Sequence, residues 1–150
     1  MTEILADLSF SPVLGPEQLR NYGFAILAIA GADGELEKSE RETLLRIGRD
    51  RALSPRIVEE WRKVDWQQSD LRSMLTALGT VLDPPMARLF LYDAIRVSRA
   101  DGHFAIQERK AIEDAAEGLN VPMYVVHALL RLVETEDALL GMRRSLLLGT

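Results

Sequence analysis

The sequence predicts an all-α domain of about seven helices, internally duplicated as two related halves. Three observations predict it. Apolar residues recur at helical spacing along most of the 150-residue chain. No segment combines period-two alternation with the turn residues of a hairpin. One phrase is written twice, 68 positions apart, as Ala32-Asp33-Gly34-Glu35-Leu36-Glu37-Lys38-Ser39-Glu40-Arg41 and as Ala100-Asp101-Gly102-His103-Phe104-Ala105-Ile106-Gln107-Glu108-Arg109.

The elements follow in order. Residues 1–14 show no clear periodicity and read as a flexible leader. Pro16 stands at a favoured first-turn position, and Leu19, Tyr22, Ile26 and Ile29 then recur at helical spacing, with Gly23, Leu27 and Ala30 on the adjoining stripe. Small residues here, among them Ala25, Ala28 and Gly31, permit close packing by another helix. Gly34 suits a left-handed, helix-ending conformation. A second helix runs from about Glu37 to Arg51, with Leu44, Ile47 and Gly48 on one face. Ser54-Pro55 is a cap followed by a first-turn proline, and it opens a third helix carrying Ile57, Val58 and Trp61.

After a weakly patterned stretch around Trp66, a fourth helix spans about Asp70 to Leu78. Asp83-Pro84 repeats the start signal for a long fifth helix with Met86, Leu89, Phe90, Ala94 and Val97, ending at Asp101-Gly102 as the first ends at Asp33-Gly34. A sixth helix carries Ile112, Ala115, Ala116 and Leu119. The seventh starts near Pro122 and carries Val125, Leu129, Leu132 and Val133 toward Leu140. Ser54-Pro55 and Val121-Pro122 match once one residue is removed, so each half reads helix, acidic turn, helix, proline-started helix. The domain spans residues 15–140, its halves about 15–65 and 83–140, and residues 141–150 form a C-terminal tail.

Composition narrows the function classes. The hydrophobic share of 47% and charged share of 27% describe an ordinary globule. No apolar run approaches the roughly 20 residues of a membrane span, and the amino terminus lacks the pattern of a signal peptide. The cytoplasm is the default compartment. Cysteine is absent, which excludes thiolate chemistry and disulfides. A net charge of −5 argues against nucleic-acid binding and fits attraction of cations or basic partners. The basic run from Arg46 to Lys63 is interrupted by Asp50, Glu59 and Glu60 and reads as a solvated face.

The repeated phrase matches the second half of an EF-hand loop, with Asp33 and Asp101 at loop position five and Glu40 and Glu108 at position twelve. The first half is missing: Ile29 and Gly31, or Val97 and Arg99, stand where the first ligands belong. Neither turn is an ordinary EF-hand. If the halves pack about a pseudo-twofold axis, however, Asp33, Glu40, Asp101 and Glu108 form one shared oxygen-rich site. The alternative is capping, in which the glycines end helices, the aspartates satisfy nearby backbone donors and the glutamates favour the next helix N-terminus.

The apolar helix ending Ala-Ile-Ala-Gly-Ala-Asp-Gly, followed by Glu-Leu-Glu-Lys-Ser-Glu-Arg, resembles the signature of the TerB-like family, named for tellurite-resistance proteins. Val97 through Arg109 resembles the family's second copy, and the likeness extends from Pro16 to Leu140. The resemblance implies an all-helical duplicated fold and a divalent-cation site at Asp33, Glu40, Asp101 and Glu108. It further implies a non-catalytic module in stress-response or tellurite-resistance assemblies. The second copy is poorer in acid, with His103 in place of Glu35 and Ala105 in place of Glu37, and Arg99 stands close enough in sequence to neutralise part of the site.

Two histidines without cysteine disfavour zinc and leave calcium, magnesium or manganese as the expected cofactor. His103 reads as polar surface and His127 as partly buried. Asp93 is expected at the edge of the packed stripe, Trp61 in the core and Trp66 as an exposed contact. Leu146-Leu147-Leu148 is expected to pack on the domain, with self-association or peripheral membrane contact as alternatives. No triad or phosphate-binding loop is recognisable, so no enzymatic activity is expected. A protein partner is expected, and the rival to cation binding is a metal-independent helical adaptor.

Overall fold

A computed structural model describes residues 14–149. It contains seven α-helices and, among the described residues, no strand. They are α1 (Pro16–Ala30), α2 (Lys38–Asp50), α3 (Pro55–Lys63), α4 (Leu71–Gly79), α5 (Pro84–Ser98), α6 (Ile106–Gly118) and α7 (Met123–Arg143). A 3₁₀ turn (Trp66–Gln68) links α3 to α4, and a π-helical turn (Arg144–Leu148) continues α7. The expected leader lies outside the described residues apart from Leu14, which is buried.

The start signals in the sequence are real caps. Ser54 Oγ accepts from the Ile57 N–H at 3.3 Å, Asp70 Oδ1 from Ser73 at 3.2 Å and Asp83 Oδ1 from Met86 at 3.0 Å. The duplication is equally plain in three dimensions. Helices α1 and α5 both have 15 residues and open on proline, and α2 and α6 both have 13. The second helix of each half ends in a left-handed residue, Ala52 (φ 57°) and Asn120 (φ 59°), again 68 positions apart. In each the following N–H reaches back five residues into the helix, Leu53 to Gly48 O and Val121 to Ala116 O, which is a Schellman closure.

Packing respects the same exchange. Helix α1 packs on α5 across the halves, α1 on α6 and α2 on α5; within each half the first helix packs on the second and third. Helix α4, which has no repeat counterpart, covers α1 and α6. The core is continuous across both halves, from Ile26, Leu27 and Leu44 to Phe90, Ile95, Ile112 and Val126. Tyr22 meets Phe90 edge-on with ring centroids 5.1 Å apart.

Four expectations are corrected. Asp93 is fully buried and not at the stripe's edge: Tyr22 Oη donates to it at 2.7 Å and Arg51 grips it with two guanidinium nitrogens. Its partners come from helices distant in sequence, beyond the reach of any local pattern. Trp66 is half-buried, its ring lying against Gly31 so closely that a Cβ there would approach it to 2.5 Å. His127 is exposed on the outer face of α7. The tail leucines Leu146, Leu147 and Leu148 do not pack on the domain, because α7 carries them away from it as exposed residues.

Candidate metal centre at the paired turns

Each acidic turn is shaped by its glycine and its aspartate. Gly34 and Gly102 have φ of +97° and +85°, a region that side chains with a Cβ rarely adopt. The aspartate before each glycine folds back on the turn: Asp33 Oδ1 accepts from Glu35 N–H at 3.1 Å, and Asp101 Oδ1 from His103 N–H at 2.9 Å. The glutamate six residues after the glycine lies at the third position of the next helix and reaches back to its cap. Glu40 Oε1 accepts from Glu37 N–H at 2.8 Å, and Glu108 Oε1 from Ala105 N–H at 2.9 Å.

These contacts are what the capping reading predicts, and they use one oxygen of each carboxylate. The fate of the glutamates goes beyond capping. Glu40 is 2% exposed and Glu108 3%, and each carboxyl group influences the other across the halves. Burial pushes the Glu40 carboxyl up to about 8 against the lowering effect of the Glu37 N–H, and the adjacent Glu108 and the charge of Asp101 add to the rise. Glu108 is raised as well, first by burial, with Asp33 and Asp101 adding to it. Burial and mutual repulsion thus oppose ionisation of both carboxyls together.

No lysine or arginine among the described residues forms an ion pair with either glutamate. Arg41, adjacent to Glu40, turns away and donates to the carbonyls of Trp61 and Arg62 at 2.9 Å, closing the end of α3. Arg99 also turns away, toward Asp137 at 3.4 Å and Glu134 at 3.8 Å on α7, with its guanidinium over the Phe104 ring. The basic residue that sequence proximity set against the second turn is thus engaged elsewhere.

Of the four acids anticipated from the sequence, the glutamates are buried, Asp101 is half-buried and Asp33 is exposed; the charge of Asp101 acts on both glutamates and that of Asp33 on Glu108. Among the described residues no three acidic or histidine side chains form a ready-made cation cage. His103 is exposed. The residues that sequence reasoning missed are Tyr22 and Arg51, which anchor Asp93; only a buried position for Asp93, an acid on the same helix face as Met86, Phe90 and Val97, could have signalled that a counter-charge was required.

The model of the family described as tellurite resistance protein TerB matches residues 26–130, which include both turns and both glutamates. A crystal structure of a tellurite resistance protein from Nostoc punctiforme shares the fold with a TM-score of 0.74, at 24% identity over 99% of this chain and 92% of that one. No curated protein matches the sequence. With the family match spanning well over half of its length and both copies of its duplicated turn, the chain belongs to the TerB family.

Proposed function

We propose that this TerB-family chain is a non-catalytic module that binds a divalent cation between its paired turns and serves, with a protein partner, in a stress-response or tellurite-resistance assembly. The observation that carries the cation reading is the buried Glu40–Glu108 pair, one carboxyl from each half, with no ion pair to a basic side chain among the described residues. The rival, a metal-independent adaptor, expects turn carboxylates pointing apart into solvent and an exposed patch of large apolar residues; the burial of the two glutamates favours the cation reading, and the exposed Leu139, Leu140, Leu146, Leu147 and Leu148 favour the adaptor.

The donor set suits a hard ion. Each of the four acids has one oxygen committed to a backbone N–H, which leaves one further oxygen apiece from Asp33, Glu40, Asp101 and Glu108. An ion that takes six or more oxygens and retains several waters, magnesium or hydrated calcium or manganese, fits four carboxylates and nothing softer. The cation would replace the proton that burial otherwise favours on the pair and would tie the two halves together.

The test is thermal unfolding of metal-free protein titrated with calcium, magnesium and manganese. A bound ion at a hundredfold excess over Kd is expected to raise Tm by about 5–10 °C for a domain of this size, and the rise should vanish in Asp33→Asn/Asp101→Asn. If none of the three metals moves Tm, or the double variant keeps the full increase, the site reading is wrong.

A further inference from the structure

The last third of α7 lies apart from the body of the domain. Every residue from 137 to 149 is exposed, yet this stretch is rich in leucine: Leu139 and Leu140 are 48% and 44% exposed, and Leu146, Leu147 and Leu148 are 71–78% exposed, with Leu132, just before the stretch, 47% exposed. A contiguous apolar surface of this kind is uncommon on a monomer, and a leucine-rich helical extension lacking tertiary support is only marginally stable in water. The extension borders a groove of about 390 Å³ between α5 and α7, lined by Tyr92, Arg96, Leu132, Leu139, Leu140 and Arg143 among others.

Charge and spacing on this face identify its occupant. Leu132, Glu136, Leu139, Arg143 and Leu147 follow one another at intervals of three or four residues, which places them along a single helical stripe. The order of that stripe is self-complementary. A second copy laid antiparallel, with its twofold axis between residues 139 and 140, sets Leu132 opposite Leu147, Leu139 opposite Leu140, and Glu136 opposite Arg143 twice. We propose that two copies of this chain associate through their α7 helices in this antiparallel register, an isologous interface with a leucine seam flanked by two Glu136–Arg143 ion pairs. Tyr92, which donates to Glu136 at 2.7 Å, holds that carboxylate at the mouth of the groove where the partner's arginine arrives.

Sedimentation velocity of the full chain across a concentration series tests this, with helical content by circular dichroism as the folding control. The wild type should sediment as a dimer that dissociates on dilution. Glu136→Arg and Arg143→Glu, each of which sets like charges face to face, should weaken it by about tenfold or more, and the double variant Glu136→Arg/Arg143→Glu should restore it. Leu139→Asp/Leu147→Asp should leave only monomer. A chain that is monomeric at every concentration, or a dimer indifferent to the charge reversals, overturns the proposal. So does a monomer that co-sediments with phosphatidylserine-containing vesicles, since the leucine face would then serve a lipid surface.

Discussion

A carboxyl group taken out of water and set against another must be neutralised, and at Glu40 the consequence is measurable in the metal-free protein. Its folded-state value of about 8 exceeds the ordinary 4.5, so folding takes up a proton in the interval between them. The stabilising contribution is full below about pH 4.5 and is lost as pH rises toward 8. Glu40→Gln removes the titrating group while leaving an oxygen for the Glu37 N–H. In chelator, the wild type should lose on the order of 2–4 kcal/mol between pH 5 and pH 8 relative to the variant; urea unfolding at a series of pH values measures it, and equal pH slopes would contradict the buried-pair account. The four acids of the site were legible in the sequence because a turn glycine and a cap glutamate sit at fixed local spacing. The burial of Glu40 and Glu108 was legible only as a condition on the halves packing about a twofold axis, because it depends on how two segments 68 residues apart are packed.

At the scale of elements, the small residues of α1 have a definite purpose. Trp61 of α3 is fully buried and donates its indole N–H to Leu19 O at 3.1 Å, and a Cβ on Gly23 would come within 2.2 Å of its ring. Gly48 of α2 leaves similarly little room, at 2.9 Å. One indole therefore sets the spacing of three helices. Gly23→Ala is expected to destabilise the domain by about 3 kcal/mol, well beyond the effect of alanine in an ordinary helix, and Trp61→Phe should recover part of that loss when combined with it; chemical denaturation of the single and double variants measures both. Helix positions were readable from Pro16, Ser54-Pro55, Asp70 and Asp83-Pro84 because capping is local. Gly31 was legible as a point of close packing, though by another helix and not by Trp66, while Gly23 and Gly48 were legible only as members of helix faces and not as the seats of Trp61. Helix α7 was expected to run toward Leu140, with residues 141–150 as a tail; the chain stays helical to Leu148.

Across the whole molecule, the halves are joined by a buried polar triad as well as by apolar packing. Asp93 belongs to the second half, and Tyr22 and Arg51 to the first. Removing the acid leaves a guanidinium in a site where its side chain is only 6% exposed. Asp93→Ala should therefore lower unfolding stability by about 3–5 kcal/mol, with the urea midpoint as the readout; a loss below about 1 kcal/mol would mean that Arg51 finds solvent when its partner is gone. The chain also contains two tryptophans in unequal surroundings. Trp61 is sealed in the core, whereas Trp66 lies half-open against Gly31, two residues before Asp33. The protein thus carries two optical channels of its own: emission from Trp61 keeps its blue, enclosed character until the core opens, and emission from Trp66 responds to rearrangement at the first turn, so light alone separates local events at the acids from global melting.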